Sequence, residues 1–184
     1  MKMRIASWMG LVAGGLAIAL LAQAAPSAWL REGQALLDAR QLIVPVEGVP
    51  PSALADTYTQ ARGSKLHEAI DIAAPRGTRV FAVDDGKVAK LFTSVPGGLT
   101  VYQFDHAGRL VYYYAHLDRY ADGLKQGSVL RRGDLIGYVG STGNARLDSP
   151  HLHFAILALG PEKQWWRGEP LNPYPALRRA PYPR

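Results

Sequence analysis

The 184-residue sequence predicts a mainly β fold, built as an antiparallel sheet with short connections. The first observation is a series of short segments rich in β-branched and aromatic residues, a composition typical of strands. The second is that 19 glycines and 13 prolines lie among these segments, where they favour tight turns. The third is that no convincing helical pattern follows residue 45. With 48% hydrophobic residues, the chain can bury the core of one domain.

Residues 1–24 have the pattern of a secretory signal peptide. Lys2 and Arg4 precede an apolar stretch, and Ala22-Gln23-Ala24 then offers small residues at the positions that signal peptidase recognises. The competing interpretation is an uncleaved anchor, because the apolar stretch is just long enough to span a bilayer. Both interpretations predict an exported domain, in the periplasm, the cell envelope or the extracellular space. Membrane contact is expected only if the segment is retained.

The segment 25–45 is predicted to be a linker that contains one weakly amphipathic helix within 28–42. Prolines at 45, 50 and 51 end it and begin the main domain, 46–172. The Pro- and Arg-rich tail, 173–184, is expected to be poorly ordered.

Turn residues divide the main domain into strands. Asp84-Asp85-Gly86 and Asp105-His106-Ala107-Gly108 each predict a β-hairpin between the strands that flank them. Arg132-Gly133-Asp134 interrupts a later strand, and a glycine-serine turn covers 140–144. The predicted strands are 66–72, 79–83, 87–93, 99–104, 109–116, 129–139 with its interruption, and 151–157.

Composition excludes several classes of function. The absence of cysteine excludes thiol catalysis, cysteine-ligated zinc, disulfides and an acylated N-terminal cysteine. The formal net charge of +6 suits a polyanionic envelope, although scattered surface charge explains it equally well. No basic run alternates with aromatic residues, so we expect no nucleic-acid partner. A monomer is favoured.

Two polar patterns carry the candidate chemistry. On a strand, residues two or four apart share a face, so the pattern pairs His67 with Asp71 and His151 with His153. Imidazole and carboxylate are the usual ligands of a catalytic zinc that keeps one position open. If the last strand lies beside the first, one of the two later histidines supplies the third ligand. Glu68 is given no catalytic role, because the helical motif His-Glu-x-x-His would need histidine at position 71.

The order of motifs resembles a known family. His-x-x-x-Asp is followed by Tyr-x-His-Leu, Gly-Ser-Thr-Gly-Asn and Pro-His-Leu-His-Phe, and over 46–158 this is similar to the LytM/lysostaphin-type zinc endopeptidases of bacterial cell walls. The resemblance implies a barrel-sandwich hybrid, or duplicated hybrid motif, with an open groove over the metal. It also implies that the substrate is a peptide stem or cross-link of peptidoglycan.

The resemblance assigns roles to five residues. It implies that His67, Asp71 and His153 bind Zn²⁺, about one ion per chain, and that His116 and His151 form a second catalytic pair. Such a pair could orient or deprotonate water, or protonate the leaving amine. The sequence does not say which histidine does which.

Three further residues are expected to contact substrate. Arg62 lies in the loop before His67, and an ordinary surface arginine is its alternative interpretation. Of Tyr113 and Tyr114, one should line the groove while the other packs in the core, and we assign Tyr114 to the groove. Asn144 closes the glycine-serine turn. The family usually has glycine where Ala69 stands, so the extra methyl is expected to narrow the groove floor.

Two other functions compete. A catalytically silent module of the same fold could bind wall or activate a separate hydrolase, but silent members typically lose ligands that this chain keeps. The segment 82–88 also resembles a biotinyl or lipoyl carrier. That interpretation fails because carriers usually place Met before the modified lysine, and Met occurs here only at 1, 3 and 9.

Overall fold

The computed structural model describes residues 27–181. Its centre is a nine-stranded antiparallel sheet in which β11, β10, β7, β6, β5 and β8 lie side by side, with β3, β4 and β9 attached to this path. The sheet is not closed into a barrel, and β1 and β2 form a separate hairpin. The strands are β1 (Ala61–Arg62), β2 (Lys65–Leu66), β3 (Ile70–Ala73), β4 (Arg79–Phe81), β5 (Gly86–Ser94), β6 (Gly98–Asp105), β7 (Leu110–Tyr120), β8 (Val129–Leu130), β9 (Leu135–Val139), β10 (His151–Leu159) and β11 (Gly168–Leu171).

The last long strand holds the centre of the sheet together. β10 pairs with β7 along one edge, and β3 and β11 pair end to end with its other edge. The prediction that the last strand lies beside the first is confirmed, because Asp71 of β3 is directly opposite His153 of β10. The hairpin predicted around 105–108 is also confirmed, since β6 pairs with β7.

One predicted hairpin is wrong. β4 and β5 do not pair with each other: β4 pairs with β9, and β5 pairs with β6 and β8. The residues between β4 and β5 do not form a tight turn. Asp84 is instead hydrogen-bonded to the core, because its carboxylate accepts from the buried Tyr112 hydroxyl at 2.9 Å. Gly86 is needed because a Cβ there would lie 1.9 Å from the Phe104 carbonyl oxygen.

The first predicted strand is also only partly correct. Residues 67–69 are irregular, and Glu68 has a φ of 55°. The cause is a pair of hydrogen bonds that pull the chain toward an earlier loop: the His67 N–H donates to the Gln60 carbonyl, and the Glu68 N–H donates to the Tyr58 carbonyl. His67 therefore lies outside the strand that holds Asp71, and a shared strand face does not explain their convergence.

Helix α1 (Ala28–Ala39) lies within the predicted amphipathic segment and covers the core face of β10. The Ser27 hydroxyl caps it by accepting a hydrogen bond from the Leu30 N–H at 3.3 Å. Leu37 is buried in the core, and Gly33 lies so close to β10 that a Cβ would be 2.5 Å from the Ala158 Cβ. In the described residues 27–181, no helix is long and apolar enough to cross a membrane.

The tail is more ordered than expected. Residues Tyr174–Arg178 form a short helix, α2, and its Leu177 is fully buried in the core. Burial of this apolar side chain stabilises the helix, although the segment is rich in proline and arginine. The predicted signal segment, 1–24, lies outside the described residues, as do 182–184.

Candidate metal centre and groove

A groove of about 570 Å³ crosses the sheet where β3, β7 and β10 meet. The side chains of His151 and His153 both line the groove, because residues two apart on β10 point to the same face. Predicted site residues on the groove wall are Arg62, His67, Asp71, His116, Asn144, His151 and His153.

Three side chains converge at the base of the groove. His67 Nε2 lies 3.0 Å from His153 Nδ1 and 3.1 Å from Asp71 Oδ1, and the latter two atoms are 3.2 Å apart. In tetrahedral zinc sites with metal–ligand distances near 2.0–2.1 Å, neighbouring ligand atoms are about 3.3 Å apart. The triangle is therefore the right size for one face of a zinc tetrahedron. Its two nitrogens and one oxygen also suit zinc better than an all-oxygen metal such as calcium.

The protonation of these groups fits metal binding. The Thr57 carbonyl can only accept, so its 3.0 Å contact with His67 Nδ1 places the proton there and leaves Nε2 free to bind a metal. Burial lowers the pKa of His67, which keeps the ring neutral. Burial opposes ionisation of Asp71, but the hydrogen bond with His153 Nδ1 and the nearby histidines outweigh it and lower the pKa of Asp71 to about 2. A metal bound to His153 Nδ1 would take the place of the proton in that hydrogen bond.

The second oxygen of Asp71 has its own partner. The Arg62 guanidinium donates to Asp71 Oδ2 at 2.6 Å, while Oδ1 faces the two histidines. Arg62 comes from the β1–β2 hairpin and is half exposed. Arg62 thus contacts Asp71, which the sequence predicts to be a metal ligand. This hydrogen bond fixes the orientation of the Asp71 carboxylate.

His116 and His151 lie next to the three-residue cluster, with His151 Nε2 3.8 Å from Asp71 Oδ1. The His116 ring centroid is 5.0 Å from that of His151 and 5.6 Å from that of His153. Neither belongs to the three-atom cluster found among the described residues. His116 Nδ1 donates to the Thr142 carbonyl and His151 Nδ1 to the Ser149 carbonyl, each at 2.8 Å, so both Nε2 atoms are free to accept a proton.

A break in β7 directs His116 into the groove. His116 has a φ of 61°, and its N–H donates to the Gly97 carbonyl instead of continuing the ladder. The left-handed backbone costs energy for a residue other than glycine, and such strain is concentrated at functional sites. Burial also lowers the pKa of His116, which favours the neutral ring.

The assignment of Tyr114 to the groove is wrong. Tyr114 is fully buried, its hydroxyl donates to the Gln103 side-chain oxygen at 2.7 Å, and its ring packs on Phe154. A continuous strand would place Tyr114 on the same face as His116, but the break at His116 reverses that alternation. Tyr113 lines the groove instead, with its ring 5.9 Å from that of His153.

Ala69 does not narrow the groove. The residue is fully buried and is absent from the groove wall, since the backbone turn at Glu68 directs it into the core. Asn144 does line the groove, where its N–H donates to the Pro96 carbonyl. Glu68 is exposed and lies outside the three-residue cluster.

The residues that hold the histidines were not predicted from the sequence. Thr57 and Thr142 position His67 and His116 through backbone carbonyls, which any residue type could supply. The Thr142 hydroxyl also donates to the Leu117 carbonyl and accepts from the Leu99 N–H. The motif Gly-Ser-Thr-Gly-Asn marks this turn in the sequence, but the sequence does not show that its threonine positions His116.

Comparison with known proteins agrees with this geometry. Residues 65–173 match the sequence model of peptidase family M23. The chain is 39% identical over 110 residues to the DD-carboxypeptidase/endopeptidase Mpg of Neisseria meningitidis, covering 59% of this chain and 22% of that protein. It is 32% identical over 130 residues to the L-Ala–D-Glu endopeptidase of Bacillus subtilis, covering 66% of this chain and 38% of that protein.

A solved structure shows the same fold. Lysostaphin of Staphylococcus simulans, described as an antimicrobial peptidase, superposes with a TM-score of 0.56 at 27% identity, covering 68% of this chain and 48% of that one. The chain thus spans well under half the length of the curated relatives given above. The family match covers more than half of the chain and includes every predicted metal-binding residue, and the chain belongs to peptidase family M23.

Proposed function

We propose that this protein is a zinc-dependent endopeptidase that hydrolyses peptide stems or cross-links of bacterial peptidoglycan during cell-wall remodelling. The observation that carries the proposal is the triangle of His67, Asp71 and His153 ligand atoms, beside two more histidines with free Nε2 atoms. The M23 relatives named as endopeptidases support the reaction class.

The metal would be held by His67 Nε2, His153 Nδ1 and Asp71 Oδ1. Zinc bound in this way supplies Lewis acidity, which polarises a substrate carbonyl and makes water a better nucleophile. Arg62 keeps the Asp71 carboxylate pointed at the site through its other oxygen.

The remaining steps belong to His116 and His151. The neutral His116 ring, held by the Thr142 carbonyl, can take a proton at Nε2 from the attacking water. His151, more exposed and held by the Ser149 carbonyl, is placed to carry a proton to the leaving amine or to stabilise the oxyanion. The two roles could also be exchanged, because both rings present the same atom to the groove.

The substrate would lie across the groove as an extended peptide. The groove walls combine cationic and apolar side chains. The cationic ones are Arg62, Lys65 and Arg146, and the apolar ones include Leu66, Pro96 and Tyr113. An exported location, either free in the envelope or anchored by residues 1–24, completes the proposal.

Digestion of purified peptidoglycan by the zinc-loaded protein, with fragments identified by mass spectrometry, tests the proposal. We expect newly released stem or cross-link fragments, and we expect their loss in His153→Ala. His106→Ala is the matched control, because His106 is exposed in the β6–β7 turn and should retain activity. If the wall stays intact with the zinc-loaded protein, the silent wall-binding alternative replaces the enzyme.

A further inference from the structure

A chain of aromatic rings leads away from the metal centre along the sheet. Tyr113 lines the groove, and its ring lies 4.7 Å from that of Tyr102, its partner on β6. Tyr102 contacts Trp165, also at 4.7 Å between centroids. Trp165 belongs to the loop between β10 and β11, so this loop folds back over the strands that form the groove.

The far end of this chain is exposed. Trp165 contacts Phe92 and Trp166 at centroid distances of 5.5 and 5.1 Å. The side chain of Trp166 is 60% exposed and that of Phe92 is 40% exposed. We call Phe92, Tyr102, Trp165 and Trp166 the aromatic patch. A single exposed ring is ordinary, but adjacent exposed rings continuous with a binding groove indicate an interaction surface.

The aromatic patch lies on the same face of the sheet as the metal centre. Directly opposed residues of antiparallel strands share a face of the sheet. The face that holds His153 therefore continues from β10 through β7 to β6, along the pairs His153–Ala115, Ala155–Tyr113 and Tyr113–Tyr102. Helix α1 covers the other face, through Gly33 against Ala158. The patch is therefore turned toward the substrate side, and away from the helix that follows the N-terminal segment.

The aromatic patch is also at a suitable distance. Ring-to-ring steps of 5.9, 4.7, 4.7 and 5.1 Å join His153 to Trp166, so the two lie no more than about 20 Å apart. An extended peptide covers about 3.3–3.6 Å per residue, so a stem of three to five residues reaches about 10–18 Å from its attachment point. A stem cleaved at the metal centre could thus place its sugar attachment near the patch.

We propose that the aromatic patch binds the glycan strand to which the cleaved peptide is attached. The proposal rests on the proposed function for its choice of ligand. Amino sugars present apolar C–H faces that stack on aromatic rings, while their hydroxyl and amide groups remain in water. Tryptophan suits such a ligand because it offers a wide, rigid apolar face at low entropic cost. The patch would then distinguish peptides on intact wall from free peptides.

Binding of soluble, peptide-free glycan strands to the full chain, measured by titration calorimetry, tests this inference. We expect wild-type protein to bind, Trp166→Ala to bind about three- to tenfold more weakly, and Trp166→Phe to retain most of the affinity because it keeps a ring. Val129→Ala is the matched control, because Val129 is 81% exposed on β8 and makes no part of the patch. Far-UV circular dichroism of each variant confirms folding.

Two kinds of result would contradict the inference: loss of the glycan effect alone, and Trp166-dependent binding of another occupant. Equal glycan affinity in Trp166→Ala and wild type, or no glycan binding at all, overturns the inference. Binding to phosphatidylglycerol vesicles that depends on Trp166, without glycan binding, would assign the patch to a membrane. Self-association that depends on Trp166, without glycan binding, would assign it to a second copy. Because the assay needs no turnover, an inactive protein that still binds glycan would refute only the peptidase activity.

Discussion

The two oxygens of Asp71 have separate tasks. Oδ1 completes the triangle with His67 and His153, while Oδ2 accepts a hydrogen bond from Arg62. Outer partners of this kind orient a ligand and are worth about 10–100-fold in metal affinity. His67 is supported in the same way, by the Thr57 carbonyl on its other ring nitrogen. The metal affinity of the site should therefore depend on residues that do not touch the metal.

Replacement of Arg62 tests this dependence. Arg62→Ala should weaken zinc binding by about 10–100-fold, because the Asp71 carboxylate loses the contact that fixes its orientation. Competition with a chelator of known affinity measures the change. Arg146→Ala is the matched control, since Arg146 lines the same groove but pairs with Asp148. Unchanged zinc affinity in Arg62→Ala would refute the positioning role.

At the scale of single elements, the turn at 140–144 holds the second histidine pair in place. The Thr142 carbonyl accepts from His116, and its hydroxyl ties the turn to Leu117 and Leu99. Gly143 has a φ of 74° and approaches the backbone of residues 96–98 so closely that a Cβ would lie 2.3 Å from the Gly98 nitrogen. His116 is thus positioned by packing between two backbone segments.

Thr142→Val should damage catalysis while sparing the metal. The valine keeps the shape but leaves the part-buried Leu99 N–H and Leu117 carbonyl without this hydroxyl partner, so the turn should shift and misplace His116. We expect kcat to fall about tenfold with zinc content unchanged. Steady-state kinetics and metal analysis measure these two quantities.

Ser141→Ala is the control for that experiment. Its hydroxyl is buried and has no hydrogen-bond partner among the described residues, so its removal should leave kcat unchanged. If Thr142→Val also retains wild-type kcat, the turn does not position His116.

Helix α1 is fitted to the sheet at Gly33. Gly33→Ala should destabilise the protein by about 1–3 kcal/mol, because the new methyl would overlap the Ala158 Cβ at 2.5 Å and displace the helix. Urea unfolding measures this loss. The double variant Gly33→Ala with Ala158→Gly should be more stable than the sum of the single changes predicts, because the second change restores space. If the two stability changes were strictly additive, Gly33 and Ala158 would not be in contact.

Much of this organisation could be predicted from the sequence, for identifiable reasons. Alternation along β10 placed His151 and His153 together, and turn residues located the β6–β7 hairpin. Local backbone reversals could not be predicted, because the φ values of Glu68 and His116 depend on hydrogen bonds from distant segments. The same reversals explain why Tyr114 is buried and why Ala69 is absent from the groove wall.

At the scale of the whole molecule, the two faces of the sheet have different tasks. One face packs in the core with Leu37 and Leu177 of the two helices, and the other carries the candidate metal site, the groove wall and the aromatic patch. Both helices are located outside or at the boundary of residues 65–173, the part that matches the family model. The candidate metal site and the aromatic patch thus lie on one surface of the sheet.

We propose that one zinc ion held by His67, Asp71 and His153 makes this chain a peptidase. Stepwise addition of zinc to the metal-free protein, with release of peptidoglycan fragments measured at each step, tests it most directly. Activity should rise linearly and stop rising at about one zinc per chain. Fragment release that is already maximal without metal, or that stays absent at full zinc occupancy, would show that this zinc site does not make the chain a peptidase.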